Sequence, residues 1–375
     1  MLRVFITAYR QVAIFLLTAV LLLVAWNLAW VGGEIVVARV QPAPMDDPVL
    51  LGPFFPDLTP ADIRELRAEL NAIRAPVFAD FFESKEATVS GRFVAVSPEG
   101  FRYGSRRDVS LHDPRLKVCL FGSSSMWGFG VDDGGTIAAR LQQRFDSATA
   151  DRSVSVFNLG HLGHNLDQEA AQFAALGRKG VRCDRAVFFT GYNEIRNDRP
   201  DTSRLTTALF AAYADDTVRA WRRRLWLLAT SQPLYRRVSA AVASGRAPRA
   251  LTPSRMLADL EATRQLVLGQ ATAQGTRAFF VIEPSRCFHD HFEGAPFHRD
   301  CRDQPPNLVE AMSAVAATAD RRVTVDLSTL FDTWSSTPYI DGAHYTREGG
   351  RAIADALFAM LSGDHGITAA DRPGE

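Results

Sequence analysis

The amino-acid sequence predicts an α/β protein, with a parallel sheet covered by helices on both faces, behind an N-terminal transmembrane helix. Two observations carry this expectation. Between Leu116 and Leu361, short apolar runs alternate with helix-length segments, and that rhythm builds a parallel sheet between two helical layers. Ahead of it, Val12 to Val31 form an uncharged run, and about 20 apolar residues suffice to cross a bilayer core.

In the N-terminal run Asn27 is the only strongly polar side chain apart from Thr18. No polar face is visible, which argues against a buried helix of a soluble domain. The run is longer than the apolar region of a cleaved signal, and no clear A-x-A site follows it, so an uncleaved anchor is expected. Arg3, Arg10 and the terminal amine precede it, while Glu34, Arg39, Asp46 and Asp47 follow. Positive residues favour the cytoplasmic side. Residues 1–11 are therefore expected in the cytoplasm and 12–31 in the cell (inner) membrane. The remainder should lie outside, in the periplasm or its equivalent. Trp26 and Trp30 sit near the outer end, as interfacial aromatics do.

Residues 32–84 read as a juxtamembrane linker and helix. Gly32-Gly33, Gln41-Pro-Ala-Pro44 and Gly52-Pro53 break regular structure. From Asp57 to Arg74 the pattern turns helical: Thr59 can cap, Pro60 suits the first turn, and Ile63, Leu66, Leu70 and Ile73 share one face. Residues 87–111 read as short strands with turns at Pro98-Glu-Gly100 and Tyr103-Gly104.

The main domain is expected over 85–362. Its strands are predicted at Leu116–Phe121, Val154–Phe157, Ala186–Phe189, Ala278–Ile282 and Val323–Leu327, and its helices at Thr136–Phe145, Leu166–Leu176, Asn307–Thr318 and Arg347–Leu361. Residues 200–275 interrupt the rhythm and read as a helical insertion. There, Ala220-Trp-Arg-Arg-Arg-Leu-Trp-Leu-Leu228 and Tyr235-Arg-Arg237 mix bulky apolar and basic residues. The mixture fits a helical cap with a solvated arginine face, or a lid that touches anionic headgroups. Residues 363–375 read as a C-terminal tail.

Composition narrows the function classes. Lys+Arg and Asp+Glu both total 42, so no nucleic-acid-binding face is expected. Of the 4 cysteines, Cys119 in a core strand and Cys183 just before another read as buried free thiols. Cys287 and Cys301 bracket a loop that holds His289, His291 and His298. Those two thiols can pair in an oxidising compartment or stay apart. The loop's ligand types suit zinc, but its spacing matches no standard site, so no metal is expected.

Four short segments carry chemistry: Phe121-Gly-Ser-Ser-Ser-Met-Trp-Gly128, Asn158-Leu-Gly-His-Leu-Gly163, Gly191-Tyr-Asn-Glu194 and Asp341-Gly-Ala-His344. The first three each end an apolar run, and ligands bind beyond the carboxyl ends of parallel strands. A serine there becomes a nucleophile once a neighbouring base takes its proton. Asp341, three residues before His344, can reach the imidazole Nδ1–H, fix its tautomer and stabilise the imidazolium. The Asn193 amide can donate to an oxyanion, and Gly163 permits close backbone approach.

At these residues the chain resembles the SGNH, or GDSL-type, hydrolases, including membrane-anchored bacterial members. Gly122-Ser-Ser124 fits the first block of that family. Trp127-Gly-Phe-Gly-Val-Asp-Asp133 continues the register, which assigns the nucleophile to Ser124 and not to Ser123 or Ser125. The resemblance implies a flavodoxin-like three-layer α/β/α fold and a catalytic set of Ser124, His344 and Asp341. It implies an oxyanion hole built from Ser124, Gly163 and Asn193, and no cofactor. Gly100-Phe-Arg-Tyr-Gly104 also resembles the anchored members. Ser123 stands where the GDS form has Asp, and Glu194 where Asp is commoner; neither removes a catalytic group. The α/β-hydrolase alternative expects G-x-S-x-G, and Gly122-Ser-Ser-Ser-Met126 lacks its last glycine.

The expected function is a membrane-anchored, extracytoplasmic serine esterase acting on acyl esters, with O-acetyl groups of a cell-surface or exported glycan as the substrate that location and resemblance imply. A polysaccharide O-acyltransferase would use the same triad. A lipase or thioesterase would follow if the insertion forms an apolar lid. A catalytically silent scaffold of an envelope assembly would not need all five site residues.

Overall fold

A computed structural model describes residues 2–40, 47–73, 77–79, 82–148, 153–191, 193–194, 253–286 and 308–362. The described residues fall into two compact units, one within 2–47 and one within 48–362.

In the first unit, Leu2–Val40 form one helix, α1. Within its stretch Phe5–Gly33, an 18-residue window reaches a mean hydropathy of 2.5, and none of that window is buried against protein. By length and composition it is a candidate membrane span or signal sequence. The Asn27 Nδ2 donates to Leu23 O at 2.9 Å, one turn back, so this donor is bonded within the helix.

The second unit opens with helix α2, Pro60–Ala72. Thr59 and Asp62 form a reciprocal capping box at its start, with Pro60 in the first turn. Ile63, Leu66 and Leu70 are buried, as is Ile73 just beyond the helix. Two short antiparallel pairs follow: β1 (Val77–Ala79) with β2 (Glu83–Lys85), and β3 (Val89–Ser90) with β4 (Ala95–Val96).

The centre is a five-stranded parallel sheet of β5 (Leu116–Phe121), β6 (Val154–Asn158), β7 (Arg185–Thr190), β8 (Arg277–Ile282) and β9 (Thr324–Asp326). Its order is β6-β5-β7-β8-β9. The first strand laid down thus lies between the second and third, which is the flavodoxin-like arrangement. Along the described residues of this unit run helices α3 (Ser124–Trp127), α4 (Ile137–Ala148), α5 (Leu166–Arg178), α6 (Pro253–Gln274), α7 (Leu308–Thr318) and α8 (Arg347–Ser362).

Strand side chains alternate between two cores, because successive residues point to opposite faces. Leu116, Val118, Leu120, Val187, Phe279 and Val281 pack with Leu141 and Phe145 of α4 and with Ile353 and Leu357 of α8. Cys119, Phe121, Phe188 and Phe280 pack with Phe173 of α5, Val267 of α6 and Val315 of α7. Across the sheet, Phe121 stacks on Phe188 at 4.7 Å and Phe188 on Phe280 at 5.6 Å. Each buried ring stabilises the fold by roughly 1.5–3 kcal/mol. Both faces are covered, so these strands read as continuous apolar runs.

Helix α6 belongs to the sheet's own layers. Leu260, Val267 and Ala271 are buried in the core it shares with α5 and α7, so this part of the 200–275 stretch returns the chain from β7 to β8. Residues 195–252, with the tryptophan- and arginine-rich segments, lie outside the described residues. So do the loop 287–307 and the tail 363–375.

The two core cysteines correct the sequence reading. Cys119 and Cys183 are not free thiols but a disulfide, with Cα atoms 5.8 Å apart. Parallel pairing explains it. Cys119 lies opposite Ala186 of β7, and Cys183 precedes that residue closely enough to reach back across the sheet. The bond closes a loop of sequence separation 64. Replacing both residues (Cys119→Ala with Cys183→Ala) is expected to lower the unfolding free energy by roughly 2–4 kcal/mol, measured by denaturant titration. Alkylation of both thiols in the native protein without a reductant would contradict the pairing.

Candidate active site

The loops beyond β5, β6 and β7 lie side by side at the carboxyl edge of the sheet, since β5 is flanked by the other two. The β5 loop turns at once into α3, with Ser123 as its N-cap. The β6 loop crosses close behind it: His161 N donates to Gly122 O at 2.9 Å. Gly160 permits this approach, because a Cβ there would stand 2.6 Å from Trp127 N.

Three of the expected residues form a continuous hydrogen-bonded line. Ser124 Oγ lies 2.8 Å from His344 Nε2, and His344 Nδ1 lies 2.6 Å from Asp341 Oδ2. The other Asp341 oxygen accepts the backbone N–H groups of Ala343 and His344, each at 2.8 Å. Burial pushes the Asp341 carboxyl up, but the His344 charge, its hydrogen bond and the two N–H donors outweigh this and hold it down at about 2. With Asp341 ionised, the Nδ1 proton of His344 points at it and Nε2 faces the serine as acceptor. The His344 side chain remains 16 % exposed, enough to meet a substrate. Phe129 lies against its ring, centroids 5.1 Å apart.

The neighbouring serines are engaged elsewhere. Ser123 Oγ accepts the Ser125 N–H at the helix N-terminus. Ser125 Oγ donates to Glu283 Oε2 at 2.6 Å and lies 3.0 Å from Ser123 Oγ. Of the three, Ser124 is the one that reaches the imidazole.

Gly163 and Asn193 sit on adjoining loops. Gly163 has φ +81, and a Cβ there would meet nothing within 4 Å; its glycine serves the left-handed backbone rather than space. Asn193 is buried, and its Nδ2 donates to His164 O at 2.7 Å, which ties the β7 loop to the β6 loop. An amide nitrogen carries two hydrogens, so a second donation is open to it.

Sequence reasoning did not single out Glu86, His161, Arg102 or Glu283, all buried around this edge. Arg102 was visible only as part of Gly100-Phe-Arg-Tyr-Gly104 and His161 only as part of Asn158-Leu-Gly-His-Leu-Gly163; Glu86 and Glu283 left no local pattern. Among the described residues no group of three or more His, Cys, Asp or Glu is placed to hold a metal ion. The histidine- and cysteine-containing loop 287–301 lies outside them.

No family model matches this chain, and no curated protein matches it. Solved structures do. An acetyl xylan esterase, AlAXEase, is similar at 13% identity and a TM-score of 0.40, over 66% of this chain and 100% of that one. The lipase/acylhydrolase from Enterococcus faecalis is similar at 14% identity and 0.39, over 66% and 96%. A member of the lipolytic protein G-D-S-L family from Veillonella parvula is similar at 14% identity and 0.37, over 65% and 96%.

Behind the serines lies a set of buried carboxyls. Glu194 accepts the N–H groups of Gly191 at 2.6 Å and Leu166 at 2.9 Å. Burial pushes it up to about 7, with the Glu283 charge adding and the Gly191 N–H opposing. Glu169 is fully buried, and neither of its oxygens has a hydrogen-bond partner among the described residues. Burial, then the charges of Glu194, Glu283 and Asp167, push it well above its ordinary range. A carboxyl with a raised native pKa holds its proton in the fold and loses it in the unfolded chain. Its stabilising effect is complete below about pH 4.5 and fades as pH rises through the native value. Stability should therefore fall between about pH 4.5 and 7 as Glu194 and Glu169 resist ionisation. The Tm of Glu169→Gln, which keeps the shape and removes the charge, is expected to fall less across that window. A slope equal to wild type would show that Glu169 does not contribute.

Proposed function

We propose that this chain is an SGNH-type serine hydrolase that cleaves ester bonds by two-step acyl transfer. The observation that carries this reading is the line Ser124–His344–Asp341, with hydrogen-bond distances of 2.8 and 2.6 Å. His344 Nε2 takes the Ser124 proton as Oγ attacks the ester carbonyl, and Asp341 stabilises the imidazolium that forms. The negative charge on the tetrahedral oxygen is held by the backbone N–H groups of Ser124 and Gly163 and by the Asn193 amide. His344 then protonates the leaving alcohol. In the second step it activates a water, which releases the acid and restores Ser124.

We assign the catalytic unit to the extracytoplasmic side of the cell (inner) membrane, anchored by α1. Two features support this: the apolar stretch Phe5–Gly33 and the Cys119–Cys183 disulfide, since such bonds persist in oxidising compartments. The substrate we assign is an acyl ester, O-acetyl in particular, on a cell-surface or exported glycan. That assignment follows from the location and from the resemblance to anchored SGNH members. A reporter fused after Glu375 should be active only outside the cytoplasm; cytoplasmic activity would reverse the orientation.

The decisive experiment measures acetate release from aryl acetates and a panel of O-acetylated glycans by the full chain in detergent. Ser124→Ala and Asp341→Asn should each lower kcat by about 10⁴ or more, with the fold retained by circular dichroism. Equal turnover in wild type and Ser124→Ala would overturn the reading. Acylation of Ser124 that turns over only when a sugar hydroxyl is supplied would make the protein an O-acyltransferase.

A further inference from the structure

The β6 loop that carries Gly163 is clamped from outside the sheet by residues 82–86, around and just after β2. Glu86 lies just after β2 and is 3% exposed. Its Oε1 accepts the backbone N–H of Leu162, the residue before Gly163, at 2.8 Å. Its Oε2 lies 2.5 Å from His161 Nδ1. On the far side of that ring, Gln172 Nε2 of α5 lies 2.9 Å from His161 Nε2. With the Gln172 amide donating, His161 Nε2 is the acceptor and Nδ1 carries the proton toward Glu86. Three residues on, His164 Nε2 donates to Ser84 O at 2.8 Å. Phe82 covers both imidazoles, 5.6 Å from the His161 ring and 6.0 Å from that of His164.

We propose that Glu86 is a positioning residue for the oxyanion hole, acting through His161 and Leu162 to fix the peptide that presents the Gly163 N–H. This rests on the reading of Gly163 as an oxyanion donor. Two features of the loop call for such a clamp. Gly163 is a glycine at positive φ with open space where a side chain would stand, so its own packing does not hold it. Leu162 N–H is a donor that would lack a partner without Glu86. A pre-placed donor also stabilises a developing charge without reorganising at the moment of reaction. A carboxylate suits the task because its two oxygens can take a backbone N–H and an imidazole N–H together. The ionised form is the one present: burial pushes Glu86 up, but the His161 contact and the Leu162 N–H hold it below its ordinary value.

The test uses the full chain and two variants, Glu86→Ala and Glu86→Gln. It measures kcat and KM on an aryl acetate, with amide hydrogen exchange across the sheet. Glu86→Ala should lower kcat by roughly 10²-fold, the scale of a lost oxyanion donor, with KM within about twofold of wild type. Exchange should quicken in the peptide spanning 159–166 and stay unchanged in β5 and β7. Glu86→Gln keeps an acceptor for Leu162 N–H and mismatches His161, so it should fall between the two. Faster exchange of that loop with kcat within twofold of wild type would reduce Glu86 to a structural role and overturn the proposal. So would faster exchange across the whole sheet in both variants. If wild-type protein turns over no ester, the hydrolase reading fails on its own account. The clamp is then judged by exchange alone, and an unchanged 159–166 peptide in Glu86→Ala would overturn it.

Discussion

A guanidinium with no exposure to water holds the turn behind the candidate nucleophile. The Arg102 Nε donates to Asp133 Oδ1 at 3.0 Å, Nη1 to the carbonyls of Trp127 and Gly128, and Nη2 to that of Val131. Its plane lies over the Trp127 ring at 4.2 Å. Burying an ion pair is costly, and it is tolerated only where every donor and acceptor finds a partner. Here all three guanidinium nitrogens and both Asp133 oxygens have partners. Asp133 also accepts from the Ala95 N–H and from Arg107, and Arg102 N donates to Asn158 O at the end of the edge strand β6. One side chain thus ties an upstream segment to the turn 127–133, and through Phe129 to the ring of His344. The line Ser124–His344–Asp341 is braced by this buried charge as well as by the sheet.

Three adjacent serines acquire three separate tasks because a helix begins among them. At the N-cap, Ser123 is extended and its hydroxyl turns back to the helix's N–H groups. One residue on, Ser124 starts the helix and is half-buried, facing His344. Ser125 points inward to Glu283, whose neighbourhood also takes in the Tyr345 hydroxyl. The residue that supplies the base and the residue that neutralises the wrong serine therefore meet through adjacent positions, His344 and Tyr345. A carboxylate so close to the nucleophile is held away from it by that serine. Glu169 and Glu194 at the same edge are pushed up by burial, a cost in stability that the surrounding core offsets.

Periodicity made most of the central fold legible before any coordinates. The strand at Leu116–Phe121 falls as expected, and α2, α5, α7 and α8 begin within a few residues of their sequence signals, because capping residues and apolar stripes are local properties. Ser124, His344 and Asp341 could be named because their blocks are short and contiguous. The features that remained hidden share one property: they exist only once distant segments are adjacent. Cys119 and Cys183 looked like ordinary apolar thiols because nothing local records that β5 and β7 are neighbours. Glu86 gains its meaning from a loop 76 residues later, and Arg102 from backbone carbonyls of the turn 127–133, which no side-chain pattern records. Helix α6 was assigned to an insertion for the opposite reason. It has no strong apolar stripe, and only its burial against α5 and α7 reveals its place.

The disulfide says more about where the domain works than about how its site is shaped. It joins β5, which leads to Ser124, to the start of β7, which leads to Asn193. That pairing is already fixed by a ladder of parallel register and by the stacked rings of Phe121 and Phe188. A crosslink acts chiefly by restricting the unfolded chain, so the native geometry of the site does not require it. Its survival requires an environment that does not reduce it. A reducing cytoplasm would leave two buried thiols in the same place and the same site above them. The bond thus becomes an argument about compartment, drawn from the catalytic unit itself and independent of the apolar helix at the other end of the chain.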